Sequence, residues 1–304
     1  MYIPEKGVLP NSNTYFNTPG SMAYEMFYYL RCVGHFYCNG NYHVKRNSYN
    51  SYLLIYIKNG LGYVDYNGKK YSAKANDIIL LDCYKPHEYF TREGWEILWM
   101  HFDGNCSRQF VELINSRLGY VISTSNTILV KRLLTSIIEE MKTSGQSSEA
   151  LISAYIHMIL SDLMMLSSEL GMEKRISGKF TPVAEPGYNV QPAGNKNESI
   201  NQIADVINYI QNNYGRKLTI AGLASSVSLS SFYFSRLFKK ETGYSPYEFI
   251  IKTRIDNSKI LLKKTDLSIK EIAINAGFSS VSNFIYTFRN HVGMSPKQFR
   301  NMQF

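Results

Sequence analysis

The pattern of apolar and polar residues divides this chain into two unlike parts. In the last hundred residues apolar side chains recur every three to four positions, which predicts amphipathic helices. A serine or threonine precedes each predicted helix, where its hydroxyl can accept hydrogen bonds from free backbone N–H groups. These predicted caps are Ser199, Thr219, Ser245 and Ser268. The spacing predicts two short helix pairs joined by one longer helix.

The helix pairs repeat at a spacing of about fifty residues. Four features of the first copy return in the second: Phe238 as Phe288, Gly243 as Gly293, Ser245-Pro246 as Ser295-Pro296, and Phe249 as Phe299. A repeated unit is a specific signal, since glycines, prolines and core aromatic residues must match together. Leu229 matches Phe278 at a spacing of 49, whereas Phe234 matches Phe284 at 50. The repeat predicts two helix-turn-helix motifs, the second with one more residue in its turn.

The first part of the chain shows short runs of β-branched and aromatic residues separated by turn signals. The runs are Tyr52 to Lys58, Gly62 to Tyr66, Asp77 to Leu81 and Trp95 to Phe102. Asn67-Gly68 is the dipeptide that a type I′ hairpin turn requires, because both central residues adopt positive φ. Helical patterns follow over 130–141 and 152–163, and these helices either cover the strands or partly form a dimer contact. The sequence predicts an α+β two-domain protein, a β-barrel with following helices ahead of an all-α domain.

Residues 173–199 contain three prolines and little apolar periodicity, which predicts a linker between domains at 1–172 and 200–304. The second domain has fourteen Lys and Arg against six Asp and Glu, net +8. The preceding 199 residues have nineteen against eighteen, net +1. A basic domain beside a near-neutral one indicates nucleic acid as the partner of the basic domain.

Cysteine usage and the first residues favour a cytoplasmic protein. Cys32, Cys38, Cys83 and Cys106 show no close pairing, and no basic start, apolar run and cleavage site is found at the beginning of the chain. No apolar run approaches the roughly 20 residues of a membrane span. We therefore expect no membrane partner.

The second helix of each motif has one face for packing and one for contact. Phe234 and Phe238 share the packing face of the first, and Phe284 and Phe288 that of the second. Spacing leaves Phe232, Ser235, Arg236 and Lys239 outward in the first motif, and Ser282, Ile285, Tyr286 and Arg289 outward in the second. Such groups suit a major groove, where Arg can pair with guanine and Lys can meet phosphate. The alternative is a solvated face without a partner.

These residues resemble the AraC/XylS family of transcriptional regulators, across Leu223 to Pro246 and Ile269 to Pro296. The resemblance implies base-reading residues at Phe232, Ser235 and Arg236, and at Ser282, Asn283 and Tyr286 in the second motif. Tyr286 stands where the family often has Arg or Lys, so we expect the first motif to supply most base discrimination. A regulator of this family also implies double-stranded DNA and RNA polymerase as partners, and a homodimer.

The strand region resembles the small cupin-like sensor domains of the same family, over Asn76 to Phe90 and Trp95 to Gly104. The resemblance implies effector contacts at Arg46, Tyr89 and Trp99, with His87 nearby. Independently, strand alternation places Trp95, Ile97, Trp99 and His101 on one face, and an apolar wall with few polar groups is typical of a ligand site. We expect a sugar-like effector and an activator of carbohydrate-use genes.

Three alternatives remain at this level. The tryptophans and histidines could be ordinary core residues, and the barrel of a constitutive regulator could serve only to dimerise. A metal-dependent cupin enzyme would need convergent His and carboxylate ligands. The six histidines, His35, His43, His87, His101, His157 and His291, include no His-x-His pair. We therefore expect no metal, no cofactor and no catalytic residue.

Overall fold

The computed structural model describes residues 2–104, 106–124, 126–142, 148–172 and 196–303. In that part of the N-terminal domain, nine strands are found: β1 (Asn13–Phe16), β2 (Tyr28–Cys38), β3 (His43–Arg46), β4 (Tyr52–Tyr66), β5 (Lys69–Lys74), β6 (Ile78–Asp82), β7 (His87–Phe90), β8 (Trp95–Gly104) and β9 (Val121–Ile122). Its helices are α1 (Ser21–Met26), α2 (Ser107–Leu118), α3 (Ile128–Lys142) and α4 (Glu149–Met172).

The long strand β4 connects two antiparallel sheets. Its first half pairs with β6 and β8, in the strand order β1-β2-β8-β4-β6-β9. Its second half pairs with β5 and β7, and β7 pairs in turn with β3. Between the halves the register shifts after Ile57, and Gly60 adopts a φ of +88°. A left-handed residue at such an irregularity lets the strand change direction and serve both sheets.

The predicted strand-rich N-terminal domain is confirmed, and its sheet is not a closed barrel, because no ladder among the described residues joins the outer strands β1 and β9. Helix α3 packs against β1 in place of a further strand. The runs predicted as two strands, Tyr52 to Lys58 and Gly62 to Tyr66, are one continuous strand. The predicted hairpin is confirmed, since Asn67 and Gly68 have φ values of 52° and 71° between β4 and β5.

Side chains alternate across β8 as predicted. Trp95, Ile97 and Trp99 belong to the inner core between the two sheets. Leu98, Met100 and Phe102 belong to a second core beneath α2, α3 and α4. A strand buried on both faces is apolar throughout, which explains the continuous run in the sequence.

Helix α4 is the one described segment, over Glu149–Leu166, that is long and apolar enough to pass a composition test for a membrane span, although none was expected. Its apolar side chains at Ile152, Ile156, Ile159 and Leu163 are buried against the sheet and neighbouring helices. The contacts of α4 with β2, α2 and α3 are those of a helix in a domain core.

Seven helices are described in the C-terminal domain: α5 (Lys196–Asn213), α6 (Ile220–Ser226), α7 (Ser231–Thr242), α8 (Pro246–Lys264), α9 (Ile269–Asn275), α10 (Val281–Val292) and α11 (Pro296–Asn301). Thr219, Ser245 and Ser268 cap α6, α8 and α9 as predicted. The prediction for Ser199 was wrong, because α5 begins at Lys196 and Ser199 lies inside it. No proline or glycine stands between 196 and 199 to prevent the earlier start.

The repeat produces two motifs with the same aromatic core. In the first, the ring centres of Phe234 and Phe238, and of Phe238 and Phe249, are both 5.5 Å apart. The matching distances in the second are 5.6 Å between Phe284 and Phe288 and 5.5 Å between Phe288 and Phe299. In the first motif the cap Ser230 directly follows Leu229. In the second motif one residue, Ser279, separates Phe278 from the cap Ser280, so Ser279 is the inserted residue.

The two domains are in contact through α8 and the segment 16–24 that joins β1 to α1. The Lys259 ammonium, 4% exposed, donates to the carbonyl of Asn17 (2.9 Å) and to Thr18 Oγ1 (2.8 Å). Asp256 on the same helix face accepts from Thr18 Oγ1 at 2.7 Å. The ring centres of Phe16 and Phe299 are 5.4 Å apart, and Gln303 donates to the carbonyl of Lys6. The inner core of the sheet domain is therefore continuous with the core of the second motif.

Candidate nucleic-acid interface and ligand site

Helix α7 presents a mixed apolar and basic face to solvent. Ser230 caps the helix by accepting from the Tyr233 N–H at 3.3 Å. With the inward side chains fully buried, Phe232 is left 81% exposed, and Arg236 and Lys239 are also exposed. Ser235 is half-buried, and its hydroxyl donates to the Ser231 carbonyl at 2.7 Å. A base contact by Ser235 must therefore accept a hydrogen bond at its hydroxyl oxygen or break this internal bond.

Helix α10 presents the corresponding face of the second motif. Ser282, Asn283, Tyr286 and Arg289 are all exposed, Tyr286 by 69%. The Asn283 side chain is held within the helix surface, since its Oδ1 accepts from the Thr287 hydroxyl at 3.2 Å. All eight residues predicted for DNA contact thus lie on the two solvent-facing surfaces, Ser235 less exposed than the others.

The two faces differ in what they can recognise. Arg236 offers a planar fork of donors that matches the two acceptors of guanine in the major groove. Tyr286, at the matching position, offers a ring and one hydroxyl. Lys239 and Arg289 occupy the last turns of α7 and α10, where a cation can meet a phosphate. The first face therefore carries a group able to form a bidentate base contact, whereas the second carries an aromatic ring, a hydroxyl and a cation.

Between the sheets, the predicted effector residues are joined into one inner cluster, which we define as Arg46, Tyr49, His87, Tyr89, Trp99 and His101. Arg46 on β3 pairs in register with His87 on β7, whose ring stacks on Tyr89 with centres 6.3 Å apart. The Arg46 guanidinium lies 5.2 Å from the ring centre of Tyr49.

Two further ring contacts complete the inner cluster. The Tyr49 ring meets His101 edge-on at 4.6 Å, and His101 lies 5.9 Å from Trp99. The structure thus brings together all four predicted effector residues, Arg46, His87, Tyr89 and Trp99, on the inner face.

The two imidazoles of the inner cluster are neutral near pH 7. Burial lowers the pKa of His87 to about 4, and the nearby Arg46 acts in the same direction. Burial holds the pKa of His101 well below its ordinary value, with Arg46 and His87 adding to the effect. His87 Nδ1 donates to the Lys85 carbonyl at 2.8 Å, which leaves Nε2 as an acceptor. This Nε2 is buried and has no hydrogen-bond partner within the described residues.

Tyr49 and His101 were not among the residues selected from the sequence. Strand alternation had placed His101 on the face of Trp99, and that signal was sufficient to include it. Tyr49 lies in the connection between β3 and β4 and follows no period, so its position depends on long-range packing. Beside the cluster is a cavity of about 10 Å³ lined by Arg31, Tyr49, Lys259 and His291 among others, which has room for about one water molecule.

Within the described ranges, no group of three or more His, Cys, Asp or Glu side chains is placed to hold a metal ion. The three buried cysteines, Cys32, Cys38 and Cys83, are free thiols. Burial raises the pKa of the Cys32 thiol to about 12, which keeps it protonated.

Two helix-turn-helix motifs with basic, solvent-facing helices, attached to a sheet domain with a buried polar cluster, define a two-domain DNA-binding regulator. Residues 31–160 match the model of the AraC-like ligand binding domain, and residues 223–302 match a helix-turn-helix domain model. Together the two matches cover more than two thirds of the chain. The chain belongs to the AraC/XylS family of transcriptional regulators.

Curated relatives include several operon regulators. The chain is 25% identical to the Msm operon regulatory protein of Streptococcus mutans over 267 residues, 86% of this chain and 88% of that protein. It is 26% identical to the lactose operon transcription activator of Staphylococcus xylosus, over 82% of this chain and 83% of that protein. Over 100 residues, 33% of each chain, it is 37% identical to the melibiose operon regulatory protein of Escherichia coli.

Two solved structures are similar to different shares of the chain. The C-terminal domain of the response regulator yesN from Fusobacterium nucleatum is 33% identical, with a TM-score of 0.33, over 33% of this chain and 99% of that chain. ToxT from Vibrio cholerae is 15% identical, with a TM-score of 0.34, over 95% of this chain and 96% of that chain.

Proposed function

We propose that this protein is a cytoplasmic transcription activator of carbohydrate-use genes that responds to a sugar-like effector bound at the inner cluster. Regulators of the msm, lactose and melibiose operons are among its relatives, and two of them match over most of their length. The observation that carries the proposal is the buried His87 Nε2 without a partner among the described residues, on the strand residue paired with Arg46 and within the inner cluster that also contains Trp99. A sugar needs such polar groups for its hydroxyls and an aromatic face for its C–H surface.

Effector binding at this place would act on the DNA-binding domain directly. The small cavity beside the cluster is lined on one side by Tyr49 and on the other by His291 and Phe299 of the second motif. A ligand larger than one water would have to displace Phe16 or these side chains. A ligand that binds one arrangement of the two domains more tightly than another shifts the equilibrium toward that arrangement, which is what a ligand-controlled switch requires.

The same proposal includes a homodimer, RNA polymerase as a partner and no catalytic activity. Leu151, Met158 and Met165 of α4 are 37%, 44% and 63% exposed, and such side chains suit a contact between two copies of the helix. The buried face of α4 supports the alternative in which the helix only completes the core, and a constitutive regulator remains the second candidate function.

Thermal unfolding of the full chain with a panel of mono- and disaccharides tests the effector. A sugar that binds only the folded state raises its stability by RT ln(1 + [L]/Kd), or about 2.7 kcal/mol at 100 times Kd. We expect one sugar class to raise the transition temperature, and Trp99→Ala to abolish the rise without unfolding the chain. No response to any sugar, together with normal DNA binding, would favour the constitutive regulator.

A further inference from the structure

The two motifs meet at a junction formed by the end of α5, the turn between α9 and α10, and Arg254 of α8. Arg254 Nε donates to the carbonyl of Tyr214 at 2.9 Å, and its Nη2 donates to the carbonyl of Arg216 at 3.0 Å. The same guanidinium lies 5.8 Å from the ring centre of Phe278. One side chain from the connecting helix therefore contacts backbone in the turn that follows α5 and a core residue of the second motif.

Two glycines allow the backbones to approach at this junction. A Cβ at Gly215 would lie 2.5 Å from the Asn275 carbonyl oxygen. A Cβ at Gly277 would lie 2.7 Å from the Tyr214 carbonyl oxygen and 3.0 Å from Arg254 Nη2. Distances below 3.0 Å are not tolerated, so either substitution would push the first motif away from the second.

The repeat itself shows that Gly277 serves more than its own turn. The matching position in the first motif is Ser228, which adopts φ of +55° without being glycine. Gly277, at the corresponding position of the second turn, has a φ of +78°. The turn alone accepts serine in one copy, whereas in the other copy the close approach of Tyr214 excludes any side chain.

Helix α8 alone leaves the relative position of the motifs to side-chain packing. Phe249 and Ile250 pack in the core of the first motif, and Ile251 and Ile255 pack in the core of the second. The two cores are thus on opposite sides of one helix. Arg254 follows Ile251 and precedes Ile255 on the same helix. Its hydrogen bonds to Tyr214 and Arg216 add directional contacts that apolar packing does not provide.

We propose that Arg254, with Gly215 and Gly277, sets the distance and rotation between the two recognition helices and so the spacing of the two subsites that the protein accepts in DNA. One base pair inserted between subsites moves one of them by about 3.4 Å and rotates it by about 34°. A junction held by hydrogen bonds from the Arg254 side chain to two backbone carbonyls resists that change. Lysine cannot replace the arginine, because one ammonium does not reproduce the planar fork that spans two carbonyls.

The test compares operators that differ only in subsite spacing. A high-affinity duplex is selected from random DNA with the full chain, and its subsites are located by base-interference footprinting. Duplexes with one base pair removed or added between the subsites are then prepared. Affinities are measured for the natural chain, Arg254→Met and Lys264→Met, the last of which removes the same charge from an exposed position on α8.

We expect the natural chain and Lys264→Met to lose at least tenfold in affinity on either spacing change. Arg254→Met should lose less than threefold, whatever its affinity for the original duplex. A purely structural role would lower affinity equally at every spacing, so an unchanged tenfold loss in folded Arg254→Met overturns the proposal.

A second pair of variants decides the matter if Arg254→Met does not fold. Gly277→Ala and Gly243→Ala both place alanine at a left-handed φ, +78° and +79°, but only Gly277 has atoms of the junction within 4 Å. We expect Gly277→Ala to shift or broaden the preferred spacing and Gly243→Ala to keep it. Equal spacing preference in both variants overturns the proposal.

Discussion

Arg236 is the residue whose substitution separates base recognition from general attraction to DNA. Its guanidinium is exposed on α7 and can form two hydrogen bonds with guanine. We expect Arg236→Ala to relax preference at one base pair by about 1–3 kcal/mol, measured by competition among single-base variants of a selected operator. Lys239→Ala is the matched control and should weaken all sequences about equally.

The contrary result concerns Tyr286. If Arg236→Ala weakens all sequences equally while Tyr286→Ala relaxes one base position by more than about 1 kcal/mol, the second motif is the main discriminator. Arg236 and Tyr286 are both exposed, so either motif can be the main discriminator between bases. The competition assay shows which motif it is.

His87 makes the stability of the sheet domain depend on pH. Its pKa in the folded state is about 4, below the ordinary value of 6.5, so the unfolded state takes up the proton first as pH falls. We therefore expect the contribution of His87 to the free energy of unfolding to be full above about pH 6.5 and to decline between pH 6.5 and 4, by up to about 3 kcal/mol.

Both tryptophans of the chain lie on β8, so their fluorescence reports unfolding of the sheet domain in urea. We expect the decline between pH 6.5 and 4 to be smaller in His87→Gln. An identical decline in that variant would assign the effect to other groups, with His101 first among them.

At the level of the element, a single hydroxyl fixes the start of α9. Ser268 accepts from the Glu271 N–H at 3.2 Å, and Glu271 accepts from the Ser268 N–H at 2.7 Å. Ser268→Ala should destabilise the second motif by about 1 kcal/mol, the usual cost of losing such a cap. Helical circular dichroism in urea measures it, and Ser225→Ala, inside α6, is the control with little expected change.

Elements with local signals could be predicted from the sequence. Caps at Thr219, Ser245 and Ser268 and the turn at Asn67-Gly68 depend on bonds within a few residues, and all four were confirmed. The continuity of β4 could not be foreseen, because the glycines at 60 and 62 look like a turn. Both glycines lie within the strand because Trp95 packs directly against them, and a Cβ at either position would collide with Trp95.

At the level of the molecule, the contact between domains depends on charged residues that look like an ordinary helix surface in sequence. Lys252, Asp256 and Lys259 have the spacing of solvated ion pairs on a helix. Their other partners, Asn17 and Thr18, are more than 230 residues away in the chain. No local pattern indicates such a partner, so this contact was absent from the sequence-based predictions.

Lys259→Met should loosen this contact while leaving both domains folded. Removing one member of a buried pair costs about 3–5 kcal/mol when the other is left unpaired, and the cost is smaller here because Asp256 keeps Lys252 as a partner. We expect faster hydrogen exchange in the segment 16–24, measured by mass spectrometry on the full chain. Lys264→Met should leave that exchange unchanged, and equal exchange in both variants would contradict the assigned role of Lys259.

The hydrogen bond from Gln303 to Lys6 joins the last residues of the chain to the first. During synthesis at about 5–20 residues per second, the last hundred residues take roughly 5–20 s to appear. For that interval the newly folded sheet domain exists without the second motif against its inner cluster. The inner cluster can therefore assemble before the contact between the domains has formed.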